Sequence, residues 1–196
     1  MIDEQSLPGR LALDLDTHFE DLVRTFQDRL YGFALRLTGS PPDAEEAAQD
    51  TFVRAYRALQ RYPAERVATL RLRAWMYQIA LNVVRNRVRR PTLSSEPLDD
   101  THVNGVISRA RDEQPESGTL TAETVGELAT ALRSLPERYA TAVILRHVQG
   151  LSYAEAADVL GQPVGTTKSD VHRGLGLLRE ALLEKPELEL LGEHLR

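Results

Sequence analysis

Seven arginines crowd one short stretch, Arg66, Arg71, Arg73, Arg85, Arg87, Arg89 and Arg90, with no acid between Glu65 and Glu96. A solvated helix face usually interleaves both signs, so a run of one sign points to a polyanionic partner. Arginine suits phosphate because its planar guanidinium makes two parallel hydrogen bonds to paired oxygens. The formal net charge of −5 looks wrong for such a partner until it is resolved along the chain. Residues 61–95 hold eight basic and one acidic side chain, whereas 1–60 hold six and eleven, and 96–130 hold two and eight. Local field, not net charge, decides where a polyanion binds.

Catalytic chemistry has less to work with. The absence of cysteine removes disulfides, thiolate metal sites and cysteine nucleophiles together, and it fits a reducing cytoplasm. His18, His102, His147, His172 and His194 show no ligand spacing, and no Gly-rich phosphate loop is present. Acid pairs such as Glu45 and Glu46 fall on a helix expected to be exposed, where no pocket would perturb them. The expectation is a non-enzyme with no metal and no cofactor.

The elements that must position these residues are helical. Phe19, Leu22, Val23, Phe26, Leu30, Phe33, Ala34 and Leu37 recur at three and four, which predicts a helix with one buried face, stopped by Gly39. Ser40 then offers an N-cap with Pro41 behind it, and Asp43, Glu45 and Glu46 match the positive end of a helix dipole running to about Leu59. Gln60 to Thr69, with Pro63, reads as a loop. A third helix, roughly Leu70 to Arg90, has Leu72, Trp75, Met76, Ile79 and Val83 on its buried stripe and ends at Pro91.

Residues 91 to about 120 are rich in Pro, Ser, Asp and Glu without sustained period, which is linker composition. Helical periodicity resumes over 121–134, 137–147, 153–160 and 164–183. No strand-like alternation longer than a few residues occurs, so the expected fold class is all-α with two small domains. Apolar residues at 42% suffice for a real core. No apolar run approaches the roughly 20 residues a membrane span needs. Met1 to Asp16, with Asp3, Glu4, Asp14 and Asp16, does not read as a signal peptide.

In the second half Ser152 and Glu155 have the form of a capping box, Gly161 can close a short helix, and Pro163 restarts the chain. The next helix is expected to bury Val164, Thr167, Val171, Leu175, Leu178 and Leu182, leaving Thr166, Lys168, Ser169, Asp170, His172 and Arg173 outward or on its flanks. Two short helices joined by a tight glycine turn describe a helix-turn-helix; a plain helical hairpin fits the pattern equally. Gly165, Gly174 and Gly176 each cost around 1 kcal/mol inside a helix, which suggests close approach to another surface, the core or a DNA backbone.

Two long motifs resemble one family. Leu135 to Tyr139, Gly150 to Ala157 and Pro163 to Ser169 are similar to region 4 of extracytoplasmic-function sigma factors, the small members of the sigma-70 family. Independently, Asp43 to Phe52 resembles region 2.2, and Arg73 to Asn82 through Arg90 resembles regions 2.3 and 2.4. The likeness covers about 19–90 and 121–183.

The resemblance implies a sigma factor: an N-terminal extension at 1–16, region 2 at 17–90, a linker at 91–120, region 4 at 121–185 and a tail at 186–196. The implied partners are core RNA polymerase and promoter DNA in the cytoplasm, without membrane insertion; an anti-sigma factor stands as a further partner left open. Region 2 would meet the minus-ten element through Tyr62, Arg71, Arg73, Asn82, Arg85, Asn86, Arg89 and Arg90, arginines on phosphates and Asn82 near bases. Asn86 stands where relatives often carry Asp. Tyr62 would stack on a flipped base; ordinary packing explains it equally well, whereas Trp75 is read as core. Thr166, Lys168, Ser169, Asp170, His172 and Arg173 would face the minus-thirty-five element.

Asp170 departs from the pattern, since many relatives have Arg there. It could accept from a cytosine amino group, or simply pair with Arg173 or Lys168. The face made by Glu46, Gln49, Asp50 and Arg54 would grip a coiled coil of the largest polymerase subunit, with region 4 on the flap; dipole matching and solvation would also explain these charges. The linker acids Glu96, Asp99, Asp100, Asp112, Glu113 and Glu116 would thread toward the RNA exit path or serve as a soluble tether. Rival classes are a helix-turn-helix regulator that acts without polymerase and a helical interaction module with no DNA role.

Overall fold

The computed structural model describes residues 4–88 and 122–183, so Arg89 and Arg90, the 91–120 linker and the 186–196 tail lie outside the described residues. The described residues are helical, with no strand among them. In the first half, α1 (Leu7–Leu13), α2 (Leu15–Thr38), α3 (Pro41–Leu59), α4 (Ala64–Ala68) and α5 (Leu72–Val88) follow one another closely.

Local chemistry explains the boundaries. Asp14 caps α2 by accepting from the Thr17 N–H at 3.0 Å, and Gly39 closes it at φ 69°, a left-handed conformation that favours glycine. Ser40 caps α3 from the Asp43 N–H at 3.4 Å, with Pro41 in the first turn, where its missing N–H costs nothing. The segment expected to be a loop after α3 contains the short helix α4, started by Pro63 and pinned by the buried Val67.

Residues 1–16 are not a bare extension. Leu7 and Leu11 of α1 are buried against the core. Phe26, Leu30 and Phe33 of α2 form that core with Leu59, Met76, Tyr77 and Leu81. Tyr77 stacks edge-on against Phe33 with centroids 5.2 Å apart.

The second half comprises α6 (Ala122–Ser134), α7 (Glu137–Val143) continuing as a π-helical turn (Ile144–Val148), α8 (Tyr153–Leu160) and α9 (Val164–Leu183). The Ser152–Glu155 capping box forms in both directions: Ser152 Oγ accepts from the Glu155 N–H at 3.2 Å, and Glu155 accepts from the Ser152 N–H at 2.8 Å. Gly161, at φ 64°, ends α8.

The expected single buried stripe on α5 is too narrow. Leu72, Ala74, Met76, Tyr77, Ala80, Leu81, Val83 and Val84 are all buried, because α2 and α3 cover one side of the helix and α8 another. Trp75 and Ile79 are only partly buried. One apolar core runs through both halves, joining Leu7 and Phe26 to Leu132, Leu145, Leu151 and Val159.

The stripe on α9 also differs from expectation. Thr167, Asp170, Val171, Gly174 and Leu178 face inward, while Val164, Leu175 and Leu182 are about 40% exposed. Of the three glycines, only Gly174 explains itself by contact. A Cβ there would lie 2.6 Å from Val143 Cγ2 and 3.0 Å from the Tyr139 carbonyl, whereas Gly165 and Gly176 have open space.

Gly174→Ala is therefore expected to destabilise the fold by about 1–3 kcal/mol through overpacking. Gly176→Ala should be neutral or stabilise by up to ~1 kcal/mol. Urea unfolding of both variants measures the difference; equal midpoints would mean that α9 does not approach α7 this closely.

Candidate nucleic-acid interface

The exposed line of α5 is polar. Arg71 just before the helix, then Gln78, Asn82 and Asn86, all face solvent, while Arg73, Arg85 and Arg87 are partly buried. A guanidinium half removed from water gains by giving N–H groups to oxygen; Arg73, Arg85 and Arg87 each do so with some of theirs, while the Nε of Arg73 and that of Arg87 are buried without a hydrogen-bond partner. Arg71 pairs with Asp158 of α8. Arg73 donates to the Gln149 carbonyl, and Arg85 Nε donates to Glu137 Oε1 at 2.8 Å. Arg87 bridges Glu46 and Asp50 of α3, with Nη2 2.9 Å from Asp50.

Arg87 belongs to the basic run but was not among the expected DNA-contacting positions. Its attachment joins the basic helix to the acidic face of α3. On that face Glu46, Gln49 and Arg54 are exposed and Asp50 is partly buried. Gln49 also leans on Glu45 at 3.4 Å.

Tyr62 is half-buried beside α5. Its ring centroid lies 6.2 Å from that of Trp75, and the Arg66 guanidinium sits 3.8 Å over its face. Trp75, Leu70, Arg71, Ala74, Gln78 and Asp158 line a cleft of about 150 Å³ between α5 and α8. Trp75 thus lines a groove as well as packing on the core, a place that its position on the apolar stripe had hidden.

In the helix-turn-helix formed by α8 and α9, Lys168, Ser169, His172 and Arg173 are exposed on one face and Thr166 is half-exposed. Asp170 is not on that face. Its side chain is 1% exposed; Arg138 Nε donates to Oδ2 at 2.8 Å and Nη2 stands 2.7 Å from Oδ1. Gln162 in the turn donates to the same Oδ2 at 2.9 Å and to Thr167 Oγ1 at 3.2 Å. Asp170 therefore lies behind the exposed face: its bonded ion-pair partner is Arg138 of α7, with Arg173 adding electrostatic attraction, rather than Lys168.

Arg138 was missed because it lies 32 positions from Asp170, and Gln162 because a turn amide eight positions away carries no periodic signal of its partner. The signal for Asp170 was present nonetheless. Gly174, the glycine that makes the tight crossing, sits four positions after it, on the buried stripe that runs through 167, 170, 171, 174 and 178.

Burial by itself would raise the Asp170 carboxyl, but the bonds from Arg138 and Gln162 hold it below the usual carboxylate range. Among the described residues no group of three or more His, Asp or Glu could hold a metal ion, and no helix is long and apolar enough to cross a membrane.

Residues 22–92 match the family model for Sigma-70 region 2, and residues 126–178 match that for Sigma-70, region 4. Among curated relatives, the chain is 35% identical over 167 residues to the ECF RNA polymerase sigma factor SigE of Mycolicibacterium smegmatis, covering 84% of this chain but 61% of that protein. It is 31% identical over 184 residues to the RNA polymerase sigma-H factor of Pseudomonas aeruginosa, covering 91% of this chain and 93% of that one. Two solved structures share the fold. CnrH in complex with the cytosolic domain of CnrY superposes with a TM-score of 0.62 at 22% identity, covering 91% of this chain and 96% of that one. RpoE in complex with the anti-sigma factor NepR, from Bartonella quintana, gives 0.62 at 23%, covering 85% and 98%.

The Asp170 clasp yields a pH test. A carboxylate whose folded pKa is depressed contributes stability that is complete above its unfolded pKa of about 4 and is lost as pH falls through the folded value. Asp170→Asn should therefore cost roughly 1–3 kcal/mol at pH 7, and the gap from wild type should shrink on acidification below about pH 4. Urea unfolding at pH 7 and pH 3 checks this; a gap of constant size would show that the ionised form is not what stabilises the turn.

Proposed function

Because this chain belongs to the sigma-70 family, as an extracytoplasmic-function member, we propose that it directs core RNA polymerase to promoters by reading two DNA elements with two helices. The observation that carries this reading is the occurrence, in one chain and in order, of region 2 and region 4, each with a polar helix face open to solvent. In this reading region 2 comprises α1 to α5 and region 4 comprises α6 to α9, with 91–120 as the tether between them.

Along α5, Asn82 and Asn86 present amide groups that can both donate to and accept from base edges of the minus-ten element. Arg71, Arg73 and Arg85, with Arg89 and Arg90 beyond the described residues, supply the phosphate contacts, which position without specifying. Tyr62 and Trp75 offer aromatic faces to an unpaired base, worth about 1–3 kcal/mol per base stacked. On α9, Thr166, Lys168, Ser169, His172 and Arg173 enter the major groove of the minus-thirty-five element, and Asp170 holds that face at its angle from behind. The protein does no bond chemistry of its own and works in the cytoplasm, where the polymerase is.

Glu46, Gln49, Asp50 and Arg54 of α3 grip a basic coiled coil of the largest polymerase subunit, and region 4 meets the flap. An anti-sigma factor is a further partner, supported by the solved RpoE complex with NepR.

In vitro transcription with core polymerase over a randomised promoter library is the decisive test, with enrichment of two separated elements as the expected result. Gln49→Ala combined with Asp50→Arg should weaken core binding by ten-fold or more, since reversing a charge at a complementary contact costs at least the ~1.4 kcal/mol of one decade. Unchanged retention in a pull-down from a natively folded variant would remove α3 from the polymerase contact. Tight, sequence-specific duplex binding by the free chain would favour an operator-binding regulator instead.

A further inference from the structure

A second cleft, of about 330 Å³, lies where the C-terminal end of α2 meets α5, the end of α6 and the start of α7. Its size is at the lower end of pockets that hold small molecules, and such pockets pair apolar walls with a few polar groups. Leu37, Leu81, Val84, Leu132, Leu135 and Ala140 supply the walls. Arg36, Arg85, Arg133 and Glu137 supply the charges, three positive against one negative. Arg85 apart, none of these residues belongs to the faces assigned above to DNA or polymerase.

The four charges are not equivalent. Arg85 and Glu137 satisfy each other, with Nε 2.8 Å from Oε1. Arg36 is half-buried, and its Nη1 donates to the Gly32 carbonyl one turn back at 2.8 Å. Among the described residues no carboxylate forms an ion pair with it, and burial pushes its guanidinium below the ordinary arginine value. Arg133 is exposed, and its Nη2 donates to Thr130 Oγ1 at 3.2 Å. Two glycines make room for these heads and stems. A Cβ on Gly32 would lie 2.9 Å from Arg36 Nη1, and one on Gly39 would lie 3.0 Å from Arg133 Cδ. A helix interior disfavours glycine, so Gly32 is explained by the guanidinium that lies on it.

A guanidinium half withdrawn from water gains most from an oxyanion that brings two acceptors in one plane. Apolar walls beside it favour a body that itself gains by leaving water. Glu137 at the edge would repel a doubly charged head more than a singly charged one. We propose that the cleft binds a small amphipathic monocarboxylate. Its head takes the remaining N–H groups of Arg36 with Arg133 beside it, and its apolar body lies against Leu81, Val84, Leu132 and Leu135. The site is independent of promoter reading, and neither DNA nor polymerase enters its test.

Sodium octanoate is the probe, titrated into the full-length chain labelled at leucine and valine methyls and followed by NMR. Saturating shifts are expected at Leu81, Val84, Leu132 and Leu135 and not at Leu7 or Leu11. The Kd should be on the order of 1 mM, the range open to a ligand of about ten non-hydrogen atoms. 1-Octanol, which keeps the body and lacks the charged head, should bind at least about ten-fold more weakly, and acetate should not shift these methyls. Arg36→Gln should weaken octanoate by about ten-fold or more, because it removes a charged donor from a partly desolvated site. Arg133→Gln, at an exposed position, should weaken it at most about five-fold.

Octanol binding as tightly as octanoate overturns the proposal, because Arg36 would then not read the head. A folded Arg36→Gln with unchanged octanoate affinity does the same. So do shifts that rise without saturation to roughly 10 mM, shifts centred on other methyls, and an octyl phosphate that binds more tightly than octanoate. Comparing the ligands on the wild-type chain decides the matter even where Arg36→Gln does not fold. Failure of the promoter-reading function looks different: the chain would give no promoter-directed transcription with core polymerase, and the octanoate result would stand unaltered.

Discussion

An arginine half withdrawn from water must find oxygen for its N–H groups, and this constraint organises the centre of the molecule. Arg71, Arg73, Arg85 and Arg87 lie along or beside a helix covered by apolar neighbours on more than one side. Left wholly unpaired there, the partly buried Arg73, Arg85 and Arg87 would carry the desolvation cost of buried donors, whereas Arg71 is exposed. Their partners come from α3, α7, α8 and the turn at Gln149, so one helix's need for acceptors decides which surfaces can meet it. A helix this rich in arginine recruits carboxylates and carbonyls.

Region 4 solves the opposite problem. Its reading face must stay polar and open, so the force that fixes its angle has to come from the inner side. Gly174 lets α9 approach the α7 backbone, and Asp170 ties that crossing to Arg138 and to Gln162 in the turn. An isolated buried carboxylate would be unfavourable, but one that accepts from two side chains is both compensated and directional. Asp at this position, which the sequence left open as a base contact or an ion pair with a nearby cation, takes part in how the helix is held.

Helices and their ends were legible because they depend on near neighbours. Gly39, Ser40, Ser152, Glu155 and Gly161 act within four residues of themselves, and the capping box at Ser152 formed as the spacing implied. The family motifs were legible for the same reason, being continuous in sequence. What was hidden depends on residues far apart. The wide burial of Tyr77 reflects α8 packing on α5, and no periodicity within α5 could announce a second neighbour. Leu7 and Leu11 were set aside as part of an extension because seven helical residues give too little period to recognise. Asp170 was misplaced because polarity was taken to mean exposure, although its partner Arg138 lies 32 positions away.

Arg87 shows how the two regional surfaces of α3 and α5 are linked by one side chain. It belongs to the basic run, yet it spends its donors on Glu46 and Asp50, which lie among the acids that face a basic partner in the proposed polymerase contact. A carboxylate oxygen has a limited number of lone-pair directions, so a cation arriving at Asp50 must share them with Arg87 or displace it. Displacement would leave Arg87 partly desolvated and short of acceptors, at the end of α5 from which the chain runs on to Arg89 and Arg90. Phosphate is the acceptor that a promoter would bring to that place. Arg87 is therefore the side chain through which the acidic face of α3 and the basic run of α5 depend on one another.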